Sequence, residues 1–160
     1  MATIGRITPC LWFDTRAEEA ATFYTGIFED SRIVEVTRYG KVGPGPEGTV
    51  MTVRFQLAGH EFVALNGGPE FTFSEAVSFQ VRCDSQEEVD RFWSLLSDGG
   101  VESMCGWLKD RFGLSWQIVP AALLDLVTDP DEERAQRAFQ AMLGMRKIDI
   151  AELHRAADAV

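Results

Sequence analysis

Apolar and polar positions alternate along the chain with two periods, and the changes of period mark its elements. Residues 84–100, DSQEEVDRFWSLLSDGG, carry Val89, Phe92, Trp93 and Leu96 at helical spacing, which gives one apolar stripe. Ser85 with Glu88 three residues on is a capping box, a hydroxyl and a carboxylate placed to satisfy orphan N–H groups at a helix start. Gly99-Gly100 ends the helix, because glycine tolerates the left-handed conformation past a helix C-terminus. An apolar strand, 76–83, runs into it. The same arrangement occurs seventy positions earlier. There Asp14-Thr15 repeats Asp84-Ser85, Thr15 and Glu18 make a second capping box, and Phe23-Tyr24 falls within one residue of Phe92-Trp93. A strand, 7–13, runs into that helix too. The chain therefore reads as a duplicated strand–helix unit.

The rest of each unit is β-structure. The first helix, 15–28, turns Ala20, Phe23, Tyr24, Ile27 and Phe28 inward. A strand at 32–39 is followed by GKVGPGPEG (40–48), a loop, since its glycines and prolines do not suit a strand interior. Residues 49–57 alternate cleanly, with Met51, Val53, Phe55 and Leu57 on one face and Thr52, Arg54 and Gln56 on the other. Ala58-Gly59 is a two-residue hairpin turn, and 61–65 returns. Asn66-Gly67-Gly68-Pro69 is a breaker-rich linker that leads through Phe71 and Phe73 into the second unit. That unit has a strand at 77–83, the helix, and further strands at 103–109 and 114–119 joined by Asp110-Arg111-Phe112-Gly113. From Pro120 the chain is a helical tail. Asp129-Pro130 signals one start, with an N-cap acid and proline at N1. Ala135, Ala138, Phe139 and Met142 form its stripe, Gly144 breaks it, and Asp149 caps a last helix carrying Ile150 and Leu153. The tail stripe needs cover, from its own body or from a second subunit. The fold class is α+β: one domain of two tandem βαβββ modules, about 5–68 and 74–120, with a helical tail at about 121–160.

Composition narrows the class. With 160 residues, 46% of them apolar, the chain can bury a core. No apolar run approaches the ~18–20 residues that span a bilayer, and MATIGRITPC lacks the basic and apolar regions of a signal peptide. A net charge of −10, with 15 basic residues dispersed among 25 acids, argues against nucleic acid. The three cysteines, Cys10, Cys83 and Cys105, are scattered and form no CxxC, and two histidines make no zinc cluster. A reduced, cytoplasmic setting follows. Cys10 and Cys105 lack the basic neighbours that activate a thiolate and read as buried structural thiols. His60, after a turn, and His154, in the tail, read as solvated. Glu18-Glu19 and Glu87-Glu88 suit helix starts, where carboxylates complement the helix dipole.

The stretches ITPCLWFDTRAEEAATFY (7–24), VMTVRF…FVALNGGPEF (50–71), AVSFQVRC (76–83), CGWLKDRFGLSWQIVP (105–120) and AMLGMRKIDIAEL (141–153) together resemble the vicinal-oxygen-chelate superfamily of glyoxalases, bleomycin-resistance proteins and dioxygenases. More narrowly they resemble its PhnB-like branch, which carries the historical label 3-demethylubiquinone-9 3-methyltransferase. The resemblance implies a half-barrel cup from each module, two cups facing each other, and a homodimer. Many members hold a divalent metal with one His or Glu from the first and one from the last strand of each module. Those positions fall on Thr8 and Ser78, and, within a residue, on Ala64 and Gln117. None is an imidazole or a carboxylate, which a divalent ion requires, so the cup reads as metal-free. The label is not matched by a glycine-rich strand-to-helix turn of the kind that holds S-adenosylmethionine in a doubly wound sheet. The junctions here are Phe13-Asp14-Thr15 and Cys83-Asp84-Ser85.

Alternation then assigns the cup. Val77, Phe79 and Val81 belong under the helix, with Trp116 and Ile118, while Ser78, Gln80, Arg82, Ser115 and Gln117 face the hollow. By the repeat, Thr8, Cys10 and Trp12 join them. Trp93 is core, and Trp12 is the tryptophan expected to reach the cavity. Register about Ala58-Gly59 sets Phe55 opposite Phe62, Val53 opposite Ala64 and Met51 opposite Asn66. The expected ligand-binding set is Thr8, Cys10, Trp12, Phe55, Phe62, Asn66, Ser78, Gln80 and Gln117. Asn66, Gln80 and Gln117 would orient a small, partly apolar molecule, and Trp12, Phe55 and Phe62 would wall it. No metal, no cofactor and no catalytic residue is assigned. The partners expected are a small molecule and a second copy of the chain, with neither nucleic acid nor membrane. The alternatives are a metal-dependent lyase or dioxygenase of the glyoxalase type, the methyltransferase of the label, and a ligand-free dimeric scaffold.

Overall fold

The computed structural model describes residues 5–159; residues 1–4, which open the N-terminal stretch, and Val160, the last of the tail, lie outside it. The chain divides into two compact units, 1–73 and 74–160.

The first unit runs β1 (Cys10–Phe13), α1 (Ala17–Thr25), β2 (Arg32–Arg38), β3 (Val50–Leu57) and β4 (His60–Asn66). Its four-stranded sheet has the order β1-β4-β3-β2, with β1 parallel to β4 and the other pairs antiparallel. Ala58 and Gly59, at φ 47° and 82°, form the tight turn of the β3–β4 hairpin. Cross-strand partners share a face, and the register is Phe55 with Phe62 and Val53 with Ala64, as expected. Leu11, Phe13, Val53, Phe55, Leu57 and Ala64 are buried, as are Ala17, Ala20, Ala21 and Tyr24 of α1. Tyr24 stacks on Phe55 with ring centroids 6.3 Å apart. The strand predicted from residue 7 begins only at Cys10, and Ile7 is 88% exposed.

The second unit repeats this order with β5 (Ser78–Cys83), α2 (Gln86–Ser97), β6 (Val101–Glu102), β7 (Trp107–Lys109) and β8 (Ser115–Pro120). Its sheet order, β5-β8-β7-β6, matches the first strand for strand, with β5 parallel to β8. Leu108, Trp116, Ile118 and Cys83 share the buried side of the unit with Val89, Trp93 and Leu96 of α2. The segment predicted as one strand, 103–109, is instead a turn followed by β7. Cys105 and Gly106 take φ 60° and 81°, and the chain reverses from the short edge strand β6.

The predicted helix starts fare differently. At α2 the Glu88 N–H donates to Ser85 Oγ (3.2 Å), and the Glu88 carboxylate accepts from Asp84 N–H (2.8 Å). At α1 the capping box does not form: Arg16 is the N-cap and supplies no side-chain bond. Asn66 Oδ1, from the end of β4, accepts the Ala17 N–H at 2.9 Å instead.

The tail folds as α3 (Ala121–Val127), α4 (Glu132–Leu143) and α5 (Ile150–Asp158). Asp131, not Asp129, caps α4, accepting from the N–H groups of Glu133 and Arg134. Asp129 pairs with Arg134. Asp149 caps α5 as expected. The tail covers its own stripe: Leu123, Leu126, Ala138, Ile148, Leu153 and Ala157 cluster with Val119 of β8. Phe139 is the exception, half exposed. Gln86 of α2 clasps the tail, donating to Ile148 C=O at 3.0 Å and accepting Ile150 N–H at 2.8 Å. Among the described residues, no helix is long and apolar enough to cross a membrane.

Candidate functional site

Each sheet buries one face under its helix, so the opposite face carries the chemistry. In the second unit, register puts Trp107, Gln117 and Gln80 in one row across β7, β8 and β5, and Lys109, Ser115 and Ser78 in the next. Three residues expected at the site meet here. Gln117 Nε2 donates to Ser78 Oγ at 2.8 Å, and Gln80 Nε2 donates to Gln117 Oε1 at 3.3 Å. The chain is polarised: Gln80 Oε1 is left as an acceptor at one end and the Ser78 hydroxyl proton as a donor at the other. Arg82 follows Gln80 on the same face, exposed and without a carboxylate partner among the described residues. Lys109 is paired with Glu75. Ser115 does not look into an open hollow: it is 1% exposed, and its Oγ has no hydrogen-bond partner.

In the first unit the corresponding rows are Trp12, Leu65, Thr52 and Thr37, then Cys10, Val63, Arg54 and Glu35. The hydroxyls of Thr37 and Thr52 are 2.5 Å apart. Arg54 bridges Glu61 (2.9 Å) and Glu35 (2.8 Å), and those bonds, Glu61 first, raise its pKa. Cys10 is exposed, not buried as expected, and Trp12 is half-buried; both lie on the face away from α1. Thr8 is half-buried ahead of β1.

Phe55, Phe62 and Asn66 are not on that face. Phe55 is fully buried between Tyr24 and Phe62, whose ring stacks on it at 5.6 Å, so it presents no surface to a ligand. Asn66 shares its row with Phe13 and uses both ends of its amide inside the unit, on Ala17 N–H and Val50 C=O. The physical reason is that the apolar face of β3 goes under the helix. The polar face, with Thr52 and Arg54, is the open one, as in the second unit. Trp107, Thr52 and Arg54 are the residues this reading missed; the alternation of β3 and the pairing of Trp107 with Gln117 would have found them.

The superfamily's metal positions can be located from register. Gln80 pairs with Gln117 as Cys10 pairs with Val63, so the first-unit counterpart of Gln117 is Val63, and Ala64 lies on the helix side. Ser78 and Gln117 in one unit, Thr8 and Val63 in the other, offer no carboxylate or imidazole, and this donor set does not fit a divalent cation.

A second concavity lies wholly in the first unit, where β1, β2 and β4 end on the same side of the sheet. It has a volume of about 760 Å³, opens to solvent, and is bounded by the start of α1, the 43–48 loop and the 66–69 linker. Side chains fix both glycine-rich segments. Trp12 Nε1 donates to Gly68 C=O at 2.9 Å, and Tyr39 Oη donates to Asn66 C=O. Gly45 lies on the Tyr39 ring and Gly67 on the Trp12 indole, where a Cβ would fall 2.3 and 2.4 Å from ring carbons.

Two sheets of identical order, each a βαβββ unit with one open face, define a glyoxalase-type protein of the vicinal-oxygen-chelate class. The model of the family described as 3-demethylubiquinone-9 3-methyltransferase matches residues 5–119, and the chain belongs to that PhnB-like family. Its tail, including the 141–153 stretch, lies beyond the matched residues. The chain is 40% identical to the PhnB protein from Bacillus cereus, whose description carries the same methyltransferase name; the match covers 73% of this chain and 100% of that one, with a TM-score of 0.67. It is 21% identical to protein PA1353 from Pseudomonas aeruginosa, over 72% and 97% of the two chains, with a TM-score of 0.61. A protein from Staphylococcus aureus is 31% identical over 72% and 96%, with a TM-score of 0.35. A comparison with curated proteins finds no match.

Proposed function

We propose that this chain binds a small, partly apolar molecule on the open face of a module, without a protein-held divalent cation. The observation that carries the reading is the Ser78–Gln117–Gln80 hydrogen-bonded chain, in which Ser78 and Gln117 are two of the positions to which the family resemblance assigns metal ligands. Its free donor and acceptor ends suit a neutral carbonyl or hydroxyl, Trp107 beside Gln117 supplies an apolar wall, and Arg82 suits a carboxylate on the same molecule. On the first module's own open face Thr8, Cys10 and Trp12 form the corresponding surface, and Phe55, Phe62 and Asn66 act behind it as its support. The two modules are taken as one functional domain. No reaction is assigned to it.

A cytoplasmic homodimer completes the proposal. Three free cysteines support the compartment. The exposed Leu124, Phe139 and Leu143 of the tail support the dimer. Sedimentation of the purified chain reads the latter.

The test is a thermal-shift screen of metabolites, divalent metals and S-adenosylmethionine against the wild type and Gln117→Ala. A metabolite that stabilises the wild type and loses its effect in the variant supports the reading. Identical responses to every hit would sink it, and tight retention of one divalent ion per module would favour a metal-dependent lyase or dioxygenase instead.

A further inference from the structure

Trp107 walls the proposed open-face site, yet its indole is not anchored. The other three of the four tryptophans are held through their own indole N–H: Trp12 on Gly68 C=O, Trp93 on Glu102 and Trp116 on Asp110. Trp107 is half-buried and has no side-chain hydrogen bond and no ring contact among the described residues. Its place is set by the backbone before it. Residues 104–107 are the turn between β6 and β7, where Trp107 N–H donates to Met104 C=O at 3.1 Å and Ser103 N–H to Trp107 C=O at 2.9 Å. Both central residues, Cys105 and Gly106, take positive φ, 60° and 81°. Such a turn favours asparagine, aspartate or glycine at its first central position. A cysteine there puts its Cβ in the left-handed region, a conformation that persists only where the surroundings impose it.

The tail supplies those surroundings. Cys105 N–H donates to Met145 C=O at 2.7 Å and Gly106 N–H to Arg146 C=O at 2.8 Å, so the linker between α4 and α5 takes both N–H groups of the turn. Gly106 is packed against Ile118 C=O and the Ile148 side chain, where a Cβ would fall 2.8 and 3.2 Å from them. Its own C=O accepts Ile118 N–H at 2.8 Å, next to Gln117. The linker is in turn fastened to α2, by Gln86 at Ile148 and Ile150 and by the Lys147–Asp90 pair.

We propose that the tail is the positioning element of this open face. Docked, its 145–148 linker holds the Cys105–Gly106 turn, and with it the Trp107 indole beside Gln117. Released, it lets the turn relax and withdraws the wall. Ligand binding on the face and docking of the tail are then coupled, and each favours the other. That coupling rests on the small-molecule reading of the face; the dependence of the turn on the tail does not.

The test is fluorine NMR of the full chain carrying 5-fluorotryptophan, with the Trp107 resonance assigned by its loss in Trp107→Phe. Gln86→Ala removes the amide that fastens the linker, and Ile148→Ala removes the side chain packed on Gly106. Exchange of the Cys105 and Gly106 amides, whose acceptors are on the linker, reports its release and is expected to rise about tenfold in each variant. The Trp107 resonance is expected to shift or broaden in both. Trp12, in the other unit, and Trp116, held by Asp110, are expected to stay in place. In a Cys105→Gly background the turn needs no help to remain left-handed, and the Trp107 displacement should fall by roughly half or more. Four results would overturn the proposal: amide exchange that neither variant raises, a Trp107 resonance unmoved once those amides exchange faster, a displacement that Cys105→Gly leaves whole, or Trp116 moving as far as Trp107. None of these readouts needs a bound molecule. Failure of the metabolite screen against Gln117→Ala would therefore remove the open-face site and leave this result readable.

Discussion

The indole Nε1–H of Trp116 donates to Asp110 Oδ2 at 2.9 Å, and both side chains are buried. The other carboxylate oxygen accepts the N–H groups of Phe112 and Leu114, at 2.8 and 3.1 Å. One carboxylate thus ties the β7–β8 turn to the β8 side chain that packs under α2. Asp110→Ala would leave three donors unpaired and should cost about 3–5 kcal/mol. Asp110→Asn keeps the oxygen that serves the turn but turns an amide N–H toward the indole, and should cost less, about 1–3 kcal/mol. Urea denaturation of the two variants, with Trp116→Phe to complete a double-mutant cycle, measures both. Equal losses in Asn and Ala would show that the bonds to the turn contribute nothing.

Gln86 holds the tail in the same manner, with one amide serving two backbone groups 62 and 64 residues away. Replacing it with alanine frees Ile148 C=O and Ile150 N–H and should cost about 1–3 kcal/mol. The loss should concentrate at α5. Hydrogen exchange should accelerate at residues 148–153 before it changes in the β5–β8 sheet. Uniform acceleration would mean that the clasp is not local.

What the sequence made legible was local. Ser85 and Glu88 are three residues apart and cap α2 as expected. Thr15 and Glu18 carry the same pattern, yet α1 is capped by Asn66, 49 residues away. No local motif announces that bond, which exists only because β4 ends beside the start of α1. The assignment of faces was legible in principle. The alternation that sends Trp116 and Ile118 under α2 also sends Val53 and Phe55 under α1, so Phe55 belongs to the core and not to the wall of a cup. Alternation puts Ser78, Gln80 and Gln117 on one face, and the parallel pairing of β5 with β8, which alternation does not announce, brings them together as one cluster. The first-unit cavity was not legible. It needs two glycine-rich segments, far apart in sequence, to be pinned by Trp12 and Tyr39.

Acid should loosen the tail before the sheets. Asp90 forms an ion pair with Lys147 at 2.8 Å, and that bond, then the one from Gln86, holds its pKa below the ordinary value. A carboxylate depressed in the folded state contributes stability that is complete above its unfolded pKa, about 4, and is lost as pH falls through the folded value. Asp129, lowered by the Asp131 N–H and then by Arg134, acts in the same direction. The effect should be modest, since the groups are partly solvated. Tail amide exchange measured between pH 6 and 3 should rise, after correction for intrinsic rates, only below about pH 4. In Asp90→Asn the rise should shrink.

The thiols should separate by reactivity. Burial, then Glu88 and Asp84, pushes Cys83 up to about 12, and the residue is 0% exposed. Cys10 is exposed, although partial burial raises its pKa as well. Thiolates are the reactive form, so iodoacetamide near pH 8 should label Cys10 slowly and leave Cys83 untouched, as peptide mass spectrometry would show. Labelling of Cys10 should quicken as pH rises. Early labelling of Cys83 would mean that the β5–α2 junction opens in the native state.

Gly67 tests whether the first-unit cavity is a built feature. The Trp12 indole lies where a Cβ on Gly67 would sit, 2.4 Å from the nearest ring atom. The same indole donates to Gly68 C=O and meets the Phe71 ring edge-on at 5.0 Å, so it is held on two sides and cannot swing away cheaply. Gly67→Ala should therefore cost about 1–3 kcal/mol, the usual penalty of overpacking, and displace the linker that walls the cavity. Gly68→Ala is the contrast: its Cβ would meet nothing within 4 Å, and only its φ of +101° opposes the change. Removing the obstacle should rescue the first variant and not the second. In a Trp12→Phe background, where the far edge of the indole's six-membered ring (Cζ2 and Cη2) no longer occupies that place, Gly67→Ala should cost markedly less, whereas the Gly68→Ala penalty should be unaltered. Melting temperatures of the three single and two double variants decide it; a Gly67→Ala penalty that ignores the Trp12 background would place its origin in the backbone and not in the ring.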